Sequence, residues 1–224
     1  MYRGLLFDLD GTLTPVRSVW RHLHEALGVW ESDARRHQEA FHRGEIDYAE
    51  FCARDAAHWK GMNESDLRAI ADRIPYRDGA REAIAAARAA GAVVGVVSTG
   101  LTLLADRART DLGLASSIAN RLVTKDGVLT GEVEIRVAHA GKGAEVDRFC
   151  ARFGIAPGEI VSFGDTEGDI PMFERTGMSV AVFPVSRRAA RAASRVHDGG
   201  TLADLVRGLP LGAPAGAVEG CHER

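Results

Sequence analysis

Apolar positions follow two rhythms along this chain. Residues 2–7 form a short, almost unbroken apolar run, followed by the polar stretch Asp8-Leu9-Asp10-Gly11-Thr12, which predicts a buried strand ending in a tight loop. From 16 to 74 the spacing turns helical. Val16, Val19, Trp20, Leu23 and Leu27 share one helix face closed by Gly28, and further helices are predicted near 33–42, 47–58 and 64–73. No strand is expected in that block, which holds all three tryptophans and five of the eight histidines. After Asp78 strands and helices alternate. An Ala-rich helix over 79–90 stops at Gly91, a buried strand over 92–97 runs into Ser98-Thr99-Gly100, and a helix over 101–112 ends at Gly113. A hairpin is expected over 121–135, turning at Asp126-Gly127. Then come a helix over 143–153, a strand over 159–164, a helix over 168–175 and a strand over 179–183.

Such alternation predicts an α/β fold: a Rossmann-like, doubly wound parallel sheet over 1–14 and 75–208, interrupted after its first strand by an all-helical insert over 15–74. The Gly/Ala/Pro-rich stretch 209–224 reads as a disordered tail. Composition adds exclusions. With 46% hydrophobic residues the 224-residue chain has ample material for a core. Its 28 Lys and Arg against 31 Asp and Glu leave a net charge of −3, so no basic footprint recommends a nucleic-acid partner. No apolar run approaches the roughly 18 residues of a membrane span, and no signal-peptide core is expected at the start. Cys52, Cys150 and Cys221 are odd in number and far apart, which suits reduced thiols and a cytoplasmic location.

In open parallel sheets ligands bind beyond the carboxyl ends of the strands. Three predicted strands end in reactive groups: Asp8 and Asp10, then Ser98 and Thr99, then Asp165 with Asp169 one turn further on. Lys142 opens a helix between them. Singly, each has an ordinary meaning: a solvated turn, a helix cap, a surface lysine, a charged helix start. Together at one sheet edge they do not. Four carboxylates gathered there repel one another unless a cation neutralises them, and oxygen donors without Cys or His point to a hard ion such as Mg²⁺. That cation, Lys142 and the donors of Ser98-Thr99-Gly100 suit a phosphate dianion. The Asp8-x-Asp10 spacing allows one carboxylate to attack phosphorus in line and the other to protonate the leaving oxygen and then activate water.

Asp8-Leu9-Asp10-Gly11-Thr12-Leu13-Thr14, Ser98, Lys142 and Gly164-Asp165-Thr166-Glu167-Gly168-Asp169 resemble the four motifs of the haloacid-dehalogenase-like hydrolase superfamily, over residues 1–207. The stretch FGDTEGDIPMF and the helical insert resemble its phosphoserine-phosphatase-like branch. The resemblance implies Asp8 as nucleophile, Asp10 as general acid and base, and Ser98 and Lys142 as phosphate ligands. It also implies Mg²⁺ held by Asp8, the Asp10 carbonyl and Asp165, with Asp169 supporting, and an insert that acts as a cap admitting small phosphorylated metabolites. Because dehalogenating members lack the second acid, the presence of Asp10 makes the chain similar to the phosphotransferring majority.

Phosphoserine phosphatases resemble one another in a cap-entry Glu nine residues after the nucleophile, holding the substrate ammonium, and an Arg seven residues after a cap aromatic, holding the carboxylate. Here Arg17 stands in the first place and, counting from Tyr48, Asp55 in the second. The inverted charges predict a substrate other than phosphoserine, such as a sugar, cyclitol or nucleoside phosphate. Trp20, Tyr48 and Trp59 are further candidates for contact with it, while His22, His24, His37, His42 and His58 read as solvated. Phosphoserine phosphatase proper, a phosphotransferase or mutase, and a non-catalytic phospho-ligand binder are the competing expectations.

Overall fold

A computed structural model describes residues 1–212. Its centre is the first strand, β1 (Gly4–Phe7), whose four residues are all buried. Neighbouring side chains on a strand point to opposite faces, and β1 obeys this: Leu5 and Phe7 pack into one apolar cluster and Leu6 into the other. A strand apolar on both faces needs helices on both sides.

The remaining elements supply them. Four helices, α1 (Val19–Ala26), α2 (Arg35–His42), α3 (Tyr48–Ala57) and α4 (Glu64–Ala71), form the insert; then come α5 (Ala80–Ala89), β2 (Val93–Leu101), α6 (Thr102–Leu112), β3 (Ser116–Lys125), β4 (Val128–Glu134) and α7 (Lys142–Phe153). The chain continues with β5 (Ile160–Gly164), α8 (Ile170–Phe173), β6 (Met178–Val182), α9 (Arg187–Ala192), β7 (Arg195–His197) and α10 (Leu202–Arg207). The strands form one seven-stranded sheet in the order β4-β3-β2-β1-β5-β6-β7. β1 pairs in parallel with both β2 and β5, so the carboxyl ends of all three open on one edge. Among the described strands only β4 runs antiparallel, at the sheet margin. Phe7 and Phe163 stack across β1 and β5 at 4.1 Å, which pins the register beneath the two motif loops.

Several expectations shift in detail. Helix α1 starts at Val19 because the Ser18 hydroxyl accepts the Arg21 amide, leaving Val16 outside it. The hairpin turns at Asp126 and Gly127, both with positive φ, as the Asp-Gly pair demands. Its first strand, however, begins at Ser116 and joins the parallel sheet beside β2. The helix expected over 168–175 is split into a 3-10 turn, Glu167–Asp169, and the short α8. The expected tail is corrected in part: Leu209 is buried, Tyr2 bridges Leu211, and the Gly212 amide donates to the Tyr2 carbonyl. Residues 213–224, with Cys221, lie outside the described residues.

The insert is not held by its two connections alone. Gly61 donates to the Leu129 carbonyl, Leu129 to that of Met62, and Glu64 to that of Gly127, so the β3–β4 hairpin is stitched to the turn between α3 and α4.

Candidate active site

The loop after β1 can carry two carboxylates because its glycine is permissive. Gly11 sits at φ +84°, and a Cβ there would collide with the Asp165 carboxylate. Arg77, where the chain returns from the insert, braces the loop from below by donating to the carbonyls of Gly11 at 2.6 Å and Thr12 at 3.0 Å. Its guanidinium also lies 4.5 Å over the Phe183 ring. Sequence reasoning missed Arg77; its place just past the insert was the only signal.

Lys142, the first residue of α7, is 2% exposed and donates to Asp8 Oδ1 and Asp169 Oδ1, both at 2.6 Å. Burial alone would lower its pKa, but Asp169 and Asp8 outweigh that and hold it above the usual lysine range. Asp169 is fully used: its Oδ2 accepts the backbone amides of Asp165 and Thr166. It therefore shapes the loop after β5 and orients Lys142. Asp10 accepts the Val19 amide on Oδ2, tying the start of α1 to the loop after β1.

The electrostatics are those of an anionic cluster in need of positive charge. Oxygens of Asp8, Asp165 and Asp169 lie within 4.8 Å of one another. Burial, then the neighbouring Asp169, lifts Asp165 to about 6, against the pull of Arg17. Asp8 is likewise raised, first by burial and against the pull of Lys142. Burial pushes Asp10 up to about 7. Asp165 Oδ1 and Asp10 Oδ1 are buried without a hydrogen-bond partner. A buried carboxylate oxygen without a partner, on Asp165 beside Asp8, is what a hard divalent cation satisfies, so the donor set fits Mg²⁺.

The predicted site residues divide. Asp8, Asp10, Thr99, Gly100 and Lys142 line one pocket of about 180 Å³, together with Arg17, Trp20 and Tyr48 from the helical side. Ser98 is buried beside it, its hydroxyl accepting the Gly100 amide at 2.9 Å. Arg17 donates to Asp165 Oδ2 at 2.6 Å and to the Phe183 carbonyl. Two candidates are corrected. Asp55 is 1% exposed and faces away from the pocket, within 3.4 Å of His24 and His37, which reach it from two other segments of the insert. Trp59 is buried in the same interior, stacked against Trp20 at 5.5 Å and His24 at 4.5 Å. His24 is thus core and not solvated, and His42 lines the pocket with Gln38, Phe41, Phe51 and His139.

Comparison with known proteins agrees with this geometry. The family model described as haloacid dehalogenase-like hydrolase matches residues 5–174. The chain is 34% identical over 206 residues to a phosphoserine phosphatase of Albidiferax ferrireducens, covering 89% of this chain and 86% of that one. It is 33% identical over 180 residues to the phosphoserine phosphatase of Archaeoglobus fulgidus, covering 80% of this chain and spanning about half, 52%, of the relative. Among solved structures, a phospho-aspartyl intermediate analogue of phosphoserine phosphatase superposes with a TM-score of 0.81 at 26% identity, covering 92% of this chain and 98% of the other. No helix among the described residues is long and apolar enough to cross a membrane. The chain belongs to the haloacid dehalogenase-like hydrolase family, on its phosphoserine-phosphatase-like branch of phosphoric monoester hydrolases.

Proposed function

We propose that the chain hydrolyses a small phosphomonoester through a phosphorylated Asp8, with the helices over 15–74 acting as a cap. The observation that carries this is the company Asp8 keeps: Lys142 at 2.6 Å, the carboxylates of Asp165 and Asp169 clustered beside it, and Asp10 on the same pocket floor. Asp8 attacks phosphorus and the bond to the leaving oxygen breaks. Asp10, lifted to about 7, donates a proton to that oxygen and then takes one from the water that cleaves the aspartyl phosphate, releasing inorganic phosphate. An acid–base group centred near neutrality can do both. Lys142 and the Thr99-Gly100 backbone stabilise charge on the phosphoryl oxygens. Mg²⁺, held by Asp8 and Asp165 with the Asp10 carbonyl, supplies Lewis-acid stabilisation of the transferring group when bound.

The names of the relatives favour phosphoserine as substrate. One observation favours a different ester. Apart from Asp8 and Asp10 the pocket lining has no acidic residue to hold an ammonium, and Asp55 is turned into the cap interior. The inverted-charge expectation therefore narrows to Arg17 alone.

The test is a panel of phosphoserine, sugar, cyclitol and nucleoside phosphates with Mg²⁺, for the wild type and Asp8→Asn. Turnover of some member, lost in Asp8→Asn with the fold intact, is expected. Release of free phosphate separates hydrolysis from transfer to a second hydroxyl. Phosphoserine turning over at least as well as the rest rejects the second substrate reading. Undiminished hydrolysis by Asp8→Asn rejects the covalent route.

A further inference from the structure

One backbone carbonyl next to the phosphate site is oversubscribed. The Thr99 oxygen accepts from Trp20 Nε1 at 3.3 Å, Tyr48 Oη at 3.0 Å and Asn120 Nδ2 at 3.0 Å. A carbonyl has two lone pairs, so three donors are one too many, and the longest of them is the indole. Two of the donors come from the helical insert, Trp20 on α1 and Tyr48 on α3, and one from the sheet, Asn120 on β3.

Asn120 is fully buried, and its proton directions are determined. Its Oδ1 accepts the backbone amides of Arg136 at 2.8 Å and Val137 at 2.9 Å, which forces the amine end toward the site. The two amine hydrogens go to the Thr99 carbonyl and to Tyr48 Oη. Tyr48 Oη in turn accepts one hydrogen from Asn120 and donates its own proton to Thr99, with the Cys52 thiol as a further neighbour. Each hydrogen-bonding position of Asn120 is taken, and each bond has only one possible sense.

We propose that Asn120 is a positioning residue that registers the cap on the phosphate loop, a role that rests on the phosphatase reading above. In the closed arrangement Tyr48 and Trp20 dock on the Thr99 carbonyl, which holds the Ser98-Thr99-Gly100 backbone against the phosphoryl site. When the insert lifts, both leave with their helices, and Asn120, fixed to the sheet by its own backbone contacts, keeps hold of the Thr99 carbonyl. The third donor thus holds the Thr99 carbonyl in place through opening, and its second hydrogen orients Tyr48 for the return.

Asn120→Asp keeps shape and both backbone contacts but turns an oxygen toward the Thr99 carbonyl. Tyr48→Phe keeps the ring and removes only the hydroxyl, and serves should the buried aspartate fail to fold. With p-nitrophenyl phosphate and Mg²⁺, each single variant is expected to lose about 10-fold in kcat/KM. The double variant should be no worse than Asn120→Asp alone, because both act on one carbonyl. Asn120→Asp should also regain activity relative to wild type as pH falls, since a protonated carboxyl can again donate; a merely structural lesion would not recover. Orthovanadate affinity by calorimetry reads the same closure without turnover. Vanadate binding without hydrolysis in the wild type would overturn the phosphatase reading, leaving the affinities of the variants to decide the role of Asn120. Multiplicative losses in the double variant, single variants equal to wild type in kcat/KM or vanadate affinity, or no binding at all, overturn the proposal.

Discussion

Replacing Asp10 with asparagine should make the metal-free protein less sensitive to alkali while destroying its activity. Burial lifts the Asp10 carboxyl from its ordinary 3.8 to about 7. The folded chain therefore binds this proton more tightly than the unfolded chain does. The stability it contributes is whole below about pH 4, declines as pH rises, and is gone once pH passes about 7. At about 1.4 kcal/mol per pH unit across that window, the ionised carboxylate costs the fold up to about 4 kcal/mol at pH 8. In a chain of this size that is a difference in Tm of the order of 10 °C. Asparagine can accept the Val19 amide as Asp10 does but cannot titrate. Its amine, placed where Asp10 Oδ1 has no partner, carries a penalty of about 1–3 kcal/mol that is the same at every pH. The informative quantity is therefore the difference in slope, not the absolute stability. Thermal unfolding in chelator from pH 4 to pH 8 should give a wild-type curve falling more steeply than that of Asp10→Asn. Asp8 and Asp165, also raised, leave a residual slope common to both. Parallel curves would refute both the raised pKa and the acid–base assignment built on it.

Removing the cation of the site should be costly in a different way. Lys142→Met leaves Asp8 and Asp169 buried without their shared partner, at a cost of about 3–5 kcal/mol. Calorimetry should find Tm down by about 10 °C, partly restored by Mg²⁺, and an unchanged Tm would count against the pairing. Saturating Mg²⁺ should itself stabilise the wild type by about 2–3 kcal/mol at a hundredfold excess over Kd. Asp165→Asn should abolish that shift, and a Mg²⁺-induced rise in Tm that survives it would remove Asp165 from the ligand set. Arg77→Met severs the brace to Gly11 and Thr12. Steady-state kinetics should register about a 10-fold loss in kcat with a smaller change in KM, and a pure KM effect would place Arg77 in substrate binding instead.

The floor of the candidate site was legible because its signals are local. A four-residue apolar strand followed by Asp-Leu-Asp-Gly needs only itself to be read, and the alternation of strands and helices carries Asp8, Lys142 and Asp165 to one edge. Charge in the helical insert is harder to read because its meaning is set by partners far along the chain. Asp55 looks like a pocket residue until His24 and His37 meet it inside the helices. Asn120 left no trace in the pattern, since a polar residue within a strand normally marks the solvent face. Its burial follows from β3 joining the parallel sheet beside β2, where Thr99 and the turn at Arg136 and Val137 surround it.

The stitching of the β3–β4 hairpin to the turn between α3 and α4 has a bearing on how such an enzyme could be rebuilt. Those bonds run between main-chain groups at Gly61, Met62, Glu64, Gly127 and Leu129, so they ask little of the side chains on either partner. A graft of residues 15–74 onto another sheet would leave one end of the transplanted helices without the backbone edge they dock on. The portable module is the helices together with the hairpin, two segments separated in sequence by the whole of α5, β2 and α6. Recombination at the insert boundaries alone would cut through a working joint.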